Sequence, residues 1–211
     1  MAGYLKRMLR FFAMIIAAWF VLGLIGGIWP SLGAPFAAPL ILLGVPALLL
    51  TLLIGSIVWL KRGIRLPFEG MRKWNRILLI GSVPALCVIT FLSMGPLISL
   101  GSFSGAHVRL AAHYQQYEAI VAKARTARPP AEFRKDDDVG YFVFSASPLH
   151  IQFAEFREIH SLFGNIEYYD GQQVSANDPR PGIRVTGNPF YETDGGCRHL
   201  SGKYFLCRLD L

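Results

Sequence analysis

The fold is decided first by the stretch FFAMIIAAWFVLGLIGGIW, residues 11–29, which contains no charged side chain. About 20 apolar residues in a helix cross a hydrocarbon core about 30 Å thick. Two more apolar runs of this length, at about 39–60 and 77–100, also lack Asp, Glu, Lys, Arg and His. We therefore predict an α-helical membrane protein, with three transmembrane helices in a membrane domain at residues 1–101.

Charge separates this apolar region from the rest of the chain. The net charge of +7 over 211 residues is confined to the first hundred positions, where nine basic residues accompany one acid, Glu69. The remainder holds twelve basic and thirteen acidic residues and is not basic as a unit. Nucleic-acid binding requires a basic domain surface. We therefore expect no nucleic-acid partner.

The basic residues also predict the orientation. Three lie in the N-terminal MAGYLKRMLR and six in the loop at 61–76, whereas the loop PSLGAPFAA at 30–38 has none. Short loops rich in Lys and Arg stay in the cytoplasm. We predict a multi-pass protein of the bacterial inner membrane with a cytoplasmic N-terminus and a periplasmic C-terminus. The basic loop should also contact anionic membrane lipid.

Two alternatives bear on the spans. The first apolar run, followed by Ala34 and Ala37, resembles a signal peptide, but it is longer than the usual apolar region of 7 to 15 residues. We therefore expect an uncleaved span.

The tetrapeptide VPAL, at 45–48 and 83–86, suggests a short inverted repeat of the transporter kind. Transport of protons or metal ions usually requires ionisable groups in the membrane, which these spans lack.

Small residues four positions apart predict helix packing. Gly23 with Gly27, and Gly81 with Ala85, would allow another helix to approach closely. The partner helix is either in this chain or in another protein.

Residues 102–211 predict a small periplasmic α+β domain with a mostly antiparallel sheet. A helix at 106–127, which can continue the third span, is followed by a polar linker at 129–140 and a strand at 141–147. Ser147 and Pro148 suggest the start of a helix at 149–163, and strands are expected at 165–170 and 182–187.

The stretch DGGCRHLSGKYFLC, residues 194–207, predicts a disulfide. A hairpin with a three-residue loop at 201–203 places Cys197 opposite Cys207 and Leu200 opposite Tyr204. A two-residue loop of Ser201 and Gly202 would instead place Cys197 opposite Leu206. Thiols outside the cytoplasm are oxidised. We therefore predict a Cys197–Cys207 bridge.

Motifs of catalysis or metal binding are missing from the sequence. It contains no HExxH, CxxC or GxSxG pattern and no phosphate-binding glycine loop. Cys197 with His199 would supply only two metal ligands, and the acidic run at 136–138 lacks the spacing of a calcium loop. We expect no catalytic residue, cofactor or metal, and hence no enzyme.

These features favour a membrane-anchored accessory or assembly subunit of a bacterial envelope complex, with a periplasmic protein-interaction domain and an envelope protein as partner. A periplasmic ligand-sensing or binding module is the main alternative. A membrane-bound envelope enzyme and an immunity or exclusion protein are further alternatives.

Overall fold

The computed structural model describes residues 2–29, 38–65, 73–127, 133–136, 139–153, 164–171, 173–175, 183–185 and 197–207. In these ranges, helices precede strands. The helices are α1 Ala2–Ile28, α2 Ala38–Ile64, α3 Lys73–Leu92 and α4 Met94–Ala127. The strands are β1 Phe133–Asp136, β2 Val139–Ala146, β3 Leu149–Phe153, β4 Asn165–Tyr169, β5 Gln173–Ser175, β6 Ile183–Val185, β7 Cys197–Ser201 and β8 Tyr204–Cys207.

In the described part of the chain, three helical segments are long and apolar enough to cross a membrane. They are Gly3–Ile28 in α1, Leu43–Ile64 in α2 and Trp74–Leu92 in α3. The prediction of three apolar helices is therefore confirmed.

The predicted third span at 77–100 is not one unbroken helix, because α3 ends at Leu92 and α4 begins at Met94. Pro96 explains the break, since its nitrogen has no hydrogen to donate to the carbonyl of Leu92, four residues earlier. The N–H of Leu97 still donates to the carbonyl of Ser93 at 3.0 Å. Helix α4 then continues the apolar segment into the polar region as far as Ala127.

Helix α1 lies against each of the other three helices. The Tyr4 ring contacts Trp59 of α2, and Phe11 lies against Gly55, so α1 and α2 are antiparallel. The Ser82 hydroxyl of α3 contacts the sulfur of Met8. The buried side chains that join these helices are Met8, Phe12, Ile15, Trp19, Leu22, Leu52 and Val83.

The strands form one eight-stranded sheet in the order β1-β2-β3-β4-β8-β7-β6-β5. All neighbouring pairs are antiparallel except β5 with β6 and β6 with β7. The prediction of a mostly antiparallel sheet is confirmed.

The predicted helix at 149–163 is wrong over its first five residues, which form β3. Leu149, Ile151 and Phe153 alternate with His150 and Gln152, so apolar side chains point to one face of the sheet at the strand period of two. Ser147 and Pro148 form the turn from β2 into β3 rather than a helix start. The remainder of that prediction, 154–163, lies outside the described residues.

The predicted linker at 129–140 is also wrong in part. Phe133–Asp136 is β1, an edge strand that pairs antiparallel with β2. Charged side chains at 134–136 suggested a solvated linker, but a sheet edge accepts such residues because one side of it faces water.

Candidate functional site

The apolar part of α4 packs on α1 through glycine. An added Cβ at Gly23 would overlap the backbone of Ile98, and one at Gly27 would overlap the backbone of Ser102. On the other side, Gly101 and Gly105 of α4 lie equally close to the backbone of α1. The two helices therefore touch backbone to backbone, and GSFSG at 101–105 is a second small-residue pair that the sequence analysis did not identify.

The other predicted packing pair has no such contact. An added Cβ at Gly81 would meet nothing within 4 Å, and Ala85 is exposed. Gly81 and Ala85 therefore make no close helix contact with the described part of this chain, and their role in packing against a partner protein stays a prediction.

The polar part of α4 packs on one face of the sheet through large apolar side chains. Tyr117 stacks on Phe153 of β3 with ring centroids 4.1 Å apart. The buried residues of this interface are Ala106, Leu110, Tyr117, Ile120, Val121 and Ala124 of α4, with Val139, Tyr141, Val143, Leu149, Ile151, Phe153, Ile166, Tyr168, Leu200, Tyr204 and Leu206 of the sheet. This cluster is the core of the α+β region.

A buried tyrosine lies at the centre of this interface. Tyr204 is 2% exposed, and its hydroxyl donates to Oε1 of Glu118 on α4 at 2.9 Å. Burial, together with the hydrogen bond to Glu118 and the negative charge of that carboxylate, raises the pKa of Tyr204 far above its ordinary value. Tyr204 therefore stays a neutral donor that ties β8 to α4.

A second polar contact joins the far end of α4 to the sheet. Nη2 of Arg125 donates to the hydroxyl of Tyr168 and lies 3.7 Å from a carboxylate oxygen of Asp170. The other oxygen of Asp170 accepts from the N–H of Leu149 at 2.7 Å. Burial raises the pKa of Tyr168. These groups hold the end of α4 against β3 and β4.

The β7–β8 hairpin contacts α4 close to its apolar part. Nδ1 of His107 lies 3.0 Å from the carbonyl oxygen of Phe103, and Nε2 lies 3.3 Å from that of Leu200 in β7. The guanidinium carbon of Arg198 lies 3.7 Å from the centroid of the Phe103 ring. The sheet is therefore held against the first turns of α4 that follow the glycine contact.

The opposite face of the sheet carries a polar group that the sequence analysis did not bring together. Nε2 of His150 lies 2.7 Å from Oε2 of Glu167 on β4, and the Glu167 side chain is 9% exposed. Gln152 lies two residues from His150 on β3 and directly opposite Glu167, is 1% exposed, and has both of its amide atoms buried without a hydrogen-bond partner. An unpaired buried amide costs about 1–3 kcal/mol. This arrangement is the described part of the chain that most resembles a binding site.

The predicted disulfide is confirmed, with a correction at the hairpin tip. Cys197 and Cys207 are bonded and lie opposite each other in β7 and β8. Tyr204 pairs with Ser201 and not with Leu200, because the register shifts between His199 and Ser201. Gly202, at φ +57°, lies in the left-handed region that glycine adopts without strain.

Metal binding does not fit the residues beside this disulfide. Glu167 lies close to the sulfurs of Cys197 and Cys207, but both sulfurs are in the bridge and are not thiolate ligands. His199, the other candidate ligand, has Nε2 2.9 Å from the carbonyl oxygen of Gly202. The Cys197 and His199 pair therefore does not form a metal site.

The remaining histidines are spread over the chain. His113 pairs with Gln116 of its own helix at 2.9 Å, and His160 lies outside the described residues. The only sequence signal for the His150 and Glu167 pair was the period-two alternation in LHIQF, which would have placed His150 and Gln152 on one strand face.

The chain matches no protein-family model, no curated protein and no solved structure.

Proposed function

We propose that this chain is a membrane-anchored accessory or assembly subunit of a bacterial envelope complex, and that the sheet region is its periplasmic protein-interaction domain. Helix α4 is the observation that carries the proposal. It is held backbone to backbone by α1 at one end and is part of the sheet core at the other. A helix held at both ends in this way fixes the distance of the sheet from the spans and the direction in which the sheet faces. A subunit that docks a partner protein requires such a fixed position.

An exposed face of α4 supports a protein partner. Beyond the glycine contact, Val108 is 51% exposed and is followed on the same side by Ala112, Gln115, Ala119 and Ala122. None of these side chains is charged, and three of the five are alanine. Charge is depleted at the centres of protein interfaces, and a helix face exposed only to water usually carries charged residues.

The polar groups of α4 and the sheet also favour anchoring over catalysis. Among the described residues, Glu118, Arg125, Asp170 and His107 are each bonded across the helix–sheet interface. These bonds give the four side chains a structural use in holding α4 on the sheet.

The test is affinity purification of the full chain from native membranes in mild detergent, followed by identification of proteins that accompany it in fixed proportion. Wild type and Lys203→Glu, which adds an acidic residue at an exposed turn, should retain the partner. Ala112→Glu, which places the same residue on the α4 face, should lose it. A wild-type protein that purifies alone, or an Ala112→Glu variant that retains every companion, contradicts the proposal.

The unpaired amide of Gln152 favours a second candidate, a ligand-binding module. A small polar ligand that donates and accepts hydrogen bonds would satisfy this amide beside Glu167 and His150. Native mass spectrometry of the purified protein tests it. A bound small molecule that is present in wild type and absent from Gln152→Leu supports the module, and a wild-type protein without one, or a Gln152→Leu variant that carries the same one, contradicts it.

A further inference from the structure

The N-terminal turn of α1 and the last turns of α2 are joined by an aromatic pair. The hydroxyl of Tyr4 donates to the backbone carbonyl of Trp59 at 2.8 Å, and the two rings meet edge to face with centroids 5.4 Å apart. The same hydroxyl lies against Gly63, where an added Cβ would come within 2.8 Å of it. This contact fixes two helix ends side by side.

Basic side chains surround that contact. We call them the inner basic cluster: Lys6 and Arg7 of α1, Lys61 and Arg62 of α2, and Arg65, which follows α2. All five are exposed. The described residues among the first hundred include no acidic side chain, so no carboxylate in that described part neutralises the cluster.

One arginine of the cluster packs on the aromatic pair, and a second lies on the adjacent stripe of α1. The guanidinium carbon of Arg62 lies 5.3 Å from the centroid of the Trp59 ring. Arg7 lies between Tyr4 and Phe11 on the helix stripe that contacts α2, since positions three and four apart share a face. Stacking of a guanidinium on a ring orients its plane and leaves its N–H edges to donate, and that planar fork matches a phosphate group.

We propose that the inner basic cluster binds an anionic phospholipid headgroup, whose phosphate has no cation of its own to neutralise it. Its position favours a lipid over an acidic protein segment, because Arg7 and Arg62 flank a Tyr–Trp pair where two apolar helices end. Tyrosine and tryptophan are enriched at the boundary between hydrocarbon and headgroups, and each Lys or Arg near an anionic leaflet contributes attraction to it. Lipid binding by this cluster requires the helices to lie in a bilayer and does not require a protein partner.

The experiment is native mass spectrometry of the full chain in mild detergent with an equal mixture of phosphatidylglycerol and phosphatidylcholine of identical acyl chains. Wild type should carry phosphatidylglycerol in roughly tenfold preference. The variant Arg7→Gln with Arg62→Gln should lose that preference. The matched control, Lys135→Gln with Lys203→Gln, removes two exposed charges from the sheet region and should keep it.

The single variants Arg7→Gln and Arg62→Gln are measured as well, in case the double variant does not fold, and each should lower the preference roughly threefold. Equal binding of the two lipids by wild type overturns the proposal and leaves an acidic protein segment as the occupant. Unchanged preference in the arginine variants also overturns it. Because no other protein is present, this result is independent of whether an envelope partner is found.

Discussion

The two halves of α4 are held by opposite means. Its apolar half meets α1 through four glycines with no side chain between the backbones, whereas its polar half meets the sheet through tyrosines and other large side chains. The difference fits the proposed placement of the apolar half in a bilayer and of the polar half in water. Lipid is as apolar as a leucine side chain, so helices in a bilayer gain mainly from close approach. In water, burial of large apolar surface is the main gain, about 25 cal/mol per Å².

The largest effect should come from the polar half. Tyr117→Ala removes a buried ring that stacks on Phe153, and we expect the free energy of unfolding to fall by about 3–5 kcal/mol. Denaturant titration in mild detergent, followed by near-ultraviolet circular dichroism, measures it. Tyr114→Ala is the control, since Tyr114 is 47% exposed and should cost well under half as much. Equal losses would show that α4 does not pack through this ring.

A smaller effect is expected in the apolar half. Gly27→Ala places a methyl group against the backbone of Ser102, which cannot move aside as a flexible side chain can, and should cost about 1–3 kcal/mol. Gly81→Ala, on an open helix face, should be neutral or should stabilise by up to about 1 kcal/mol through helix propensity. Thermal unfolding of both variants in the same detergent separates them. If Gly27→Ala is as stable as Gly81→Ala, the backbone contact is wrong.

The smallest effect is a pH dependence of the free energy of unfolding, and it concerns the polar half of α4. Tyr204→Phe removes the hydroxyl bonded to Glu118 and should cost about 1 kcal/mol at neutral pH. Since the pKa of Tyr204 is raised in the folded protein, only the unfolded chain ionises it above about pH 10. The stability of wild type should therefore fall more steeply with rising pH than that of the variant.

The measurement is the free energy of unfolding of both proteins between pH 8 and pH 11. The advantage of wild type should be constant below about pH 10 and should shrink above it. A difference that stays constant over the whole range would show that the Tyr204 hydroxyl is not buried.

The features that the sequence predicted are those with a local physical cause. Three uncharged apolar runs predicted α1, α2 and α3, and turn chemistry around Gly202 predicted a hairpin that pairs Cys197 with Cys207. The tip of that hairpin differs from the prediction, because the register shifts between His199 and Ser201.

The features that it did not predict depend on contacts between distant segments. Leu149 and Phe153 fit a helical spacing of four, and with Ile151 they fit a strand spacing of two, so pairing with β2 and β4 decides between them. The His150 and Glu167 contact exists only because of that pairing. Likewise, nothing local indicates that GSFSG at 101–105 faces Gly23 and Gly27.

Membrane orientation tests the central claim, that α4 carries the sheet from the spans to the periplasmic side. In a Cys87→Ser background, Lys135→Cys marks an exposed position on β1 of the sheet, away from the proposed partner face of α4, and Gly3→Cys marks an exposed position at the start of α1. Cells with a permeabilised outer membrane are treated with a membrane-impermeant maleimide. We predict labelling of Lys135→Cys in intact inner membranes and of Gly3→Cys only after lysis. The reverse pattern, or labelling of both only after lysis, contradicts the claim.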